Sequence, residues 1–444
     1  MQLRKRHRRS SCLGAFKMMT AHNLPSESHP SQQSLRGLDW LNFFLAGVLT
    51  GFGPFVALHL AKQNWTKEDV GFVLTISVLT GLLVQVPSGE LLDMVQSKRP
   101  LVALGTATIG FAALILALWP NFIPVLIAEV LLGVTGGFLG QAIGAISLGL
   151  VGHDGLPERS GRNQRFAAIG GFAAAGLMGL LGDLLSTQAI FFASAALAFP
   201  TLVALWRIRA GDIHFARASS AAPGDYHPAQ PPRTARVGVG VNYRLLIFAG
   251  CTVLFQLANA SLMPLVSEEL AREHGSSLVV SALISVPQVV VAILAPRVGS
   301  EADRWGRRPV LLIGLSALPI NAACLAFVDH PLLLITAQTL SGISAAVIGV
   351  LTPLIIADIT KGTGRFNLGQ GIVGTLSGVG AALSTTVSGF IAQRFGAGAA
   401  FYVMTGVALI AVAVCWAFMP ETKFTASKPE PPKGGEGTER RASS

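Results

Sequence analysis

Twelve stretches of about 20 mainly apolar residues recur between Leu38 and Met419, and each is long enough to cross a hydrocarbon layer roughly 30 Å thick. No soluble core could hide so many such runs in a chain of 444 residues. Hydrophobic residues make up 51% of the chain and charged residues 13%, about half of the roughly 25% charged content usual in soluble domains. In lipid every backbone N–H and C=O must be satisfied within its own segment, so the runs are expected to be helices. A closed β-barrel would need ten-residue strands of alternating polarity, and the sequence lacks that alternation. The expected spans are 38–60, 69–92, 100–119, 122–150, 163–185, 188–208, 243–270, 277–300, 308–328, 331–357, 366–393 and 397–419.

A polar stretch, 210–242, separates six segments from six. It holds Pro223, Pro228, Pro231 and Pro232 among Ser, Gly and Arg, a composition that cannot bury a core and reads as a linker. The expected units are therefore bundles over 38–209 and 243–423, with disordered tails at 1–37 and 424–444. The N-terminus has no apolar core of a signal peptide, and Met18 and Met19 are alternative starts to Met1. With both termini on one side, 29 of the 33 Lys and Arg residues fall there, and Lys62, Lys67, Arg272 and Arg394 fall on the other. The rule that basic loops stay inside makes the first side cytoplasmic. The net charge of +10 is then a basic surface facing anionic lipid and implies no nucleic-acid partner. Cys12, Cys251, Cys324 and Cys415 are scattered singly, so neither a disulfide framework nor a metal site is expected. No phosphate-binding loop is present, and no cofactor is expected.

The two sets of six are related by an internal repeat. Gly89-Glu90-Leu91-Leu92-Asp93 and Gly299-Ser300-Glu301-Ala302-Asp303 lie 210 residues apart, each followed by basic residues and Pro: Lys98-Arg99-Pro100 in the first, Arg304, Arg307-Arg308-Pro309 in the second. Pro54 and Pro264 repeat the same offset, and Gly133 and Gly342 stand 209 apart. Gly161-Arg162 and Gly364-Arg365, 203 apart, read as equivalents before segments five and eleven. Six segments per half start both halves on the same side, so the repeats are parallel, about an axis along the membrane normal.

The second loop, Gly299 to Arg308, resembles the Gly-x-x-x-Asp-Arg-x-Gly-Arg-Arg loop of the major facilitator superfamily of secondary transporters. The first loop departs from it at Met94 and Gln96, which replace Arg and Gly. The resemblance implies an all-α membrane fold of twelve transmembrane helices in two six-helix bundles. It also implies that Gly89, Asp93, Lys98, Arg99, Gly299, Asp303, Arg304, Gly306, Arg307 and Arg308 form loops that hold the outward-facing state through charge pairs and helix-end contacts. Segments one, four, seven and ten line the central cavity of that family, which makes Gln141, Gln256, Asn259 and Gln338 candidate cavity residues. Pro420-Glu421-Thr422-Lys423 resembles a signature of sugar porters; it is short and by itself implies no sugar.

Glu129 is the sharpest single candidate. It lies within Leu126-Ile127-Ala128-Glu129-Val130, where a charged carboxylate costs a few kcal/mol unless it meets a cavity, a partner or a proton. It is therefore a candidate for proton coupling or for recognising a cation, against the alternative of a hydrogen-bond partner between helices. In the drug/proton antiporters of the resembled family an Arg stands at this place. Pro54 and Pro264 are expected to kink segments one and seven. The chain is thus expected to be a non-enzymatic secondary transporter of the bacterial inner membrane. Its expected partners are a small-molecule substrate, protons and the bilayer, and it is expected to act as a monomer. Export of small amphipathic drugs or metabolites is the favoured reading; uptake of a metabolite, or a sensor using the same fold, are the alternatives.

Overall fold

Short polar residues placed just ahead of apolar runs set several of the helix starts. Ser31, Thr66 and Ser186 each accept a hydrogen bond from the backbone N–H three residues on, satisfying one of the donors that a helix N-terminus leaves open. The computed structural model describes residues 30–52, 54–221, 242–266, 277–327 and 331–423. Residues 1–29 of the expected N-terminal tail, the expected C-terminal tail and most of the linker lie outside these residues, whereas the end of the expected N-terminal tail, from Gln32, is helical.

The first half contains α1 (Gln32–Thr50), α2 (Pro54–Lys62), α3 (Lys67–Met94), α4 (Arg99–Leu118), α5 (Phe122–Leu184) and α6 (Thr187–Arg207). A short 3-10 turn, Ala210–Asp212, and α7 (Phe215–Ala218) follow. The second half contains α8 (Tyr243–Asn259), α9 (Ser277–Trp305), α10 (Arg307–Phe327), α11 (Pro331–Thr360), α12 (Phe366–Phe395) and α13 (Ala397–Phe418). Ten candidate membrane spans occur among the described residues. One of them, α5, is 63 residues long and breaks at Gly152, whose φ of 69° is open to glycine at little cost. The chain reverses there: Asn163 Nδ2 donates to Ser147 Oγ at 2.8 Å, although sixteen residues of straight helix would put them about 24 Å apart. Divided at Gly152, and counted with α9, these helices give the twelve expected crossings.

One boundary differs from expectation. The loop expected over 151–162 is helical, because a single left-handed residue makes the turn and the polar side chains beyond it find partners. Arg159 and Arg162 both bind the buried Asp39 carboxylate, at 2.5 and 2.6 Å, tying the start of the fifth crossing to α1.

Buried apolar clusters fill both halves, and one of them spans the interface. In the first half, one cluster around Leu41, Ile109 and Ile146 fills the end near the motif loop, and another around Leu60, Leu116 and Phe191 fills the opposite end. One large cluster runs through the second half from Phe248 by Leu315 and Leu354 to Met404, and it takes in Leu148, Leu156 and Ala168 of the first half. Outward faces stay apolar: Leu83, Phe199 and Trp416 are 77%, 71% and 66% exposed, as a lipid-facing surface requires. The halves meet chiefly where α9 packs on α5 and α3 packs on α12.

The first and seventh crossings are both interrupted close to a proline. The first crossing is broken between Thr50 and Pro54, which begins α2. The seventh is broken at residues 260–261, just ahead of Pro264. There the Ser261 N–H donates to Ser384 Oγ on α12 at 3.1 Å, so the break leaves this backbone donor satisfied.

Candidate functional site

The contact between halves follows the repeat closely. A Cβ added at Gly89 would lie 2.5 Å from Asn367 O, and one at Gly299 would lie 2.3 Å from Pro157 O. Likewise Gly371 presses on Gln85 O and Gly161 on Ala295 O, at 2.4 and 2.5 Å. Every member of these pairs is related to its counterpart by 210 positions. Gly161 is therefore matched in space by Gly371 and not by Gly364, which the sequence alone had suggested; the repeat keeps one offset through the fifth and eleventh crossings.

The two motif aspartates behave differently within this symmetry. Asp93 crosses the interface: its carboxylate accepts from Asn367 N at 3.1 Å, Asn367 Nδ2 at 2.7 Å and Leu368 N at 2.9 Å. It sits on the N-terminus of α12, where free amides and the helix dipole favour negative charge. Asp303 stays in its own half. It pairs with Arg307 at 2.8 Å, and Arg307 also binds Asp358 at 2.9 Å. The reason is local chemistry. The counterparts of Asn367 and Leu368 are Pro157 and Glu158; Pro157 has no N–H and no side-chain donor, and Glu158 is an acid.

The remaining loop residues make local structural contacts. Lys98 is 1% exposed, donates to Leu92 O and Val95 O, and lies 4.5 Å from the Phe215 ring centroid. Burial pushes its ammonium down to about 8, against the opposing pull of Asp93. Arg99 reaches Trp206 O at 3.4 Å and exposed Arg304 pairs with half-buried Glu301 at 3.1 Å. Gly306, with φ of 99°, makes the turn into α10. Glu421 caps that helix by accepting from Arg307 N at 2.8 Å and Arg308 N at 3.1 Å. The Pro-Glu-Thr motif thus has a helix-capping role here.

The start of the linker is ordered and bridges the halves. His214 N donates to Gly149 O at 3.1 Å, and His153 Nε2 meets Ser220 Oγ at 2.8 Å. On the other side, Phe366 N donates to Ser219 O at 3.2 Å and Asn367 Nδ2 to Ala218 O at 3.3 Å. Asp212 accepts from Ser31 Oγ and Ser34 Oγ at 2.5 and 2.6 Å. Burial acts to raise its pKa, but these hydrogen bonds prevail and hold the carboxyl below its ordinary value.

Above this closed end lies a cavity of about 310 Å³ between the halves. Gln85 and Gln141 face it from the first half, and Gln256 and Gln370 from the second, with Thr252 and Ser377. Among the described residues that line it, none carries a charge. Gln141 and Gln256 are thus among the lining residues. Asn259, half-buried at the end of α8, and Gln338, 1% exposed on α11, are not among its lining residues. Segments two and eleven contribute Gln85 and Gln370, because the closed end draws α3 and α12 across one another.

Glu129 also stands apart from the cavity. It is 3% exposed, its Oε1 has no hydrogen-bond partner, and its backbone carbonyl accepts from Ser77 Oγ at 3.0 Å. Gly133, one turn on, presses against Ser77 O at 2.3 Å from an added Cβ, so this side of α5 is packed on α3 inside the first half. Asn367 and Gln370 escaped the sequence reading. They sit at the start of an apolar segment beside a basic loop, where polar residues are ordinary, and only the opposite half gives them their setting.

Comparison with known proteins agrees with this architecture. The profile described as Major Facilitator Superfamily matches residues 38–241 and 248–442. An uncharacterised MFS-type transporter of Mycobacterium tuberculosis (strain ATCC 25618 / H37Rv) is 36% identical over 393 residues, covering 87% of this chain and 93% of the relative. The multidrug resistance protein MdtG of Salmonella typhimurium is 27% identical over 402 residues, covering 85% and 93%. Among solved structures, the human organic anion transporter MFSD10 (TETRAN) superposes with a TM-score of 0.65 at 14% identity, covering 88% of this chain and all of that one. The D323A mutant of the nucleoside transporter NupG gives 0.60 at 16% identity, covering 86% and 98%.

Proposed function

The chain belongs to the major facilitator superfamily, and from that premise we propose that it is a proton-coupled exporter of small molecules in a bacterial plasma membrane. Membership makes it a multi-pass membrane transporter. The observation that carries the finer reading is the cavity between two pseudo-symmetric halves, closed at one end by contacts between the halves. Those contacts are glycine-to-backbone approaches and the Asp93 cap on α12. Their loss at one end, with closure at the other, is the motion that alternating access requires. Asp93 holds the closed end in this state, and Arg307 with Asp303 and Asp358 keeps the second half rigid as it moves.

Glu129 is the proton carrier in this reading. It is a buried carboxyl within a membrane helix and has one unpartnered oxygen, so its ionised form is costly and its protonation is coupled to its surroundings. It acts from inside the first half, through the α3–α5 packing. The likeness to a multidrug resistance protein over most of both chains supports export. The test compares small molecules inside and outside bacteria that express the chain, without choosing a substrate in advance. At least one compound should be depleted from cells, and both an uncoupler and Glu129→Gln should restore it. A compound whose export survives both treatments would remove the proton and Glu129 from the mechanism.

A further inference from the structure

Four glycines stand between residues 133 and 140 of α5, and packing explains two of them. A Cβ at Gly133 would lie 2.3 Å from Ser77 O, and one at Gly137 would lie 2.9 Å from Gly81 O, so both let α3 approach closely. Gly136 and Gly140 are different. A Cβ at either would meet no atom within 4 Å. Both residues are exposed, and both line the cavity between the halves. Glycine inside a helix is less favourable than alanine, and at these two positions no neighbouring atom requires it. What the two glycines leave is open space on the cavity side of α5.

The two bare positions lie one helical turn apart, about 6 Å along the axis. This part of the first-half wall is therefore helix backbone with no side chain on it. The second half contributes side chains instead: Ile348 and Thr352 from α11, Gln256 from α8 and Ser377 from α12, all half-buried. A ring can lie flat on a bare turn of helix and touch it with a whole face, whereas a puckered or branched body touches it at a few points. The difference matters because a gap of about 0.5–1 Å already forfeits roughly a quarter to a half of the dispersion attraction. An ion would meet no counter-charge among the described lining residues and is disfavoured there. The volume of about 310 Å³ lies near the lower bound of small-molecule sites, roughly 300 Å³. We propose that Gly136 and Gly140 are the seat for the body of a small, uncharged, flat-ringed solute, whose polar edge faces Gln256, Thr352 and Ser377 on the other half. The inference rests on the transport reading, since it names the class of molecule carried from this same cavity.

The test is equilibrium binding to the purified full-length chain in detergent, corrected against protein-free micelles. Three probes share one ring skeleton: 2-naphthol is flat and neutral, decahydro-2-naphthol is puckered and neutral, and 2-naphthoate is flat and anionic. 2-Naphthol should bind, and the other two should bind about tenfold or more weakly. Gly136→Ala and Gly140→Ala each place a methyl group in the seat and should weaken 2-naphthol about tenfold or more. Their unfolding midpoints should stay level or rise, because the added methyl meets no protein atom. Gly179→Ala is the control: a Cβ there also meets nothing within 4 Å, but Gly179 is not among the lining residues, and 2-naphthol affinity should not change. Absent 2-naphthol binding, equal affinity for the puckered probe or tighter binding of 2-naphthoate would overturn the proposal. So would unchanged affinity in both cavity variants, which would assign the open space to helix movement. Binding is read without flux, so failure here is separable from failure of the exporter reading. Selective 2-naphthol binding with no proton-driven movement would retain the recognition and discard the transport mechanism.

Discussion

Replacing Asp93 with Asn should release the closed end. The carboxylate accepts three hydrogen bonds from two residues at the start of α12, two of them from backbone amides on different oxygens. An amide side chain keeps one oxygen and turns an NH₂ toward the other donor. Loss of a helix N-cap costs about 1 kcal/mol, and loss of the charge at a partly buried helix N-terminus adds roughly another 1 kcal/mol. Burial of the carboxylate offsets part of this, and the donor left facing NH₂ restores it, for a net of about 1.5–3 kcal/mol. That corresponds to roughly a ten- to hundredfold increase in the open population at this end. Ser160, 4% exposed and bonded through Oγ to Val350 O across the interface at 3.1 Å, reports on it. With the native cysteines replaced and Ser160→Cys introduced, the rate of labelling by a membrane-impermeant maleimide in inside-out vesicles should rise by that factor. Asp303→Asn should leave the rate near its starting value, because Asp303 bonds within its own half. Equal acceleration by both substitutions, or by neither, would refute the asymmetric latch.

Two further outcomes concern stability. Lys98 titrates at about 8 in the fold against an ordinary 10.5, so the folded state carries the full cost of the buried ammonium below about pH 8. That cost fades as the pH rises towards 10.5, and stability relative to Lys98→Met should increase over this window by on the order of 3 kcal/mol. Thermal unfolding of both proteins in detergent between pH 7 and 10.5 would show it, and a flat difference would refute it. Asp39→Ala removes the carboxylate shared by Arg159 and Arg162 and leaves the 4%-exposed Arg159 guanidinium uncompensated. A loss of roughly 3–5 kcal/mol is expected, readable as a lower unfolding midpoint that Asp39→Glu partly recovers.

Much of the candidate site was legible in the sequence as a set of places, and little of it as a set of partners. The paired Asp loops could be found because duplication keeps spacing, and the 210-residue offset survives in the chain. The sequence drew attention to Asp303, whose loop keeps the full basic pattern, yet Asp93 is the residue that reaches the other half. That difference is decided by Asn367 and Pro157, two residues far from either loop in the chain. Gln141 and Gln256 could be chosen as polar positions in apolar helices. Gln338 looked the same by that criterion and is absent from the cavity lining, because polarity marks an unusual position without saying which neighbour faces it.

The apolar runs alone determined that this chain is a bundle of membrane-crossing helices, since lipid offers no partner to an open backbone and only helices satisfy themselves. The repeat alone determined two like halves. Which glycine meets which backbone, which aspartate finds a helix end, and which amides are left without partners are properties of the interface between halves. They depend on contacts between residues roughly 130 to 290 positions apart, and only the tertiary structure brings those residues together.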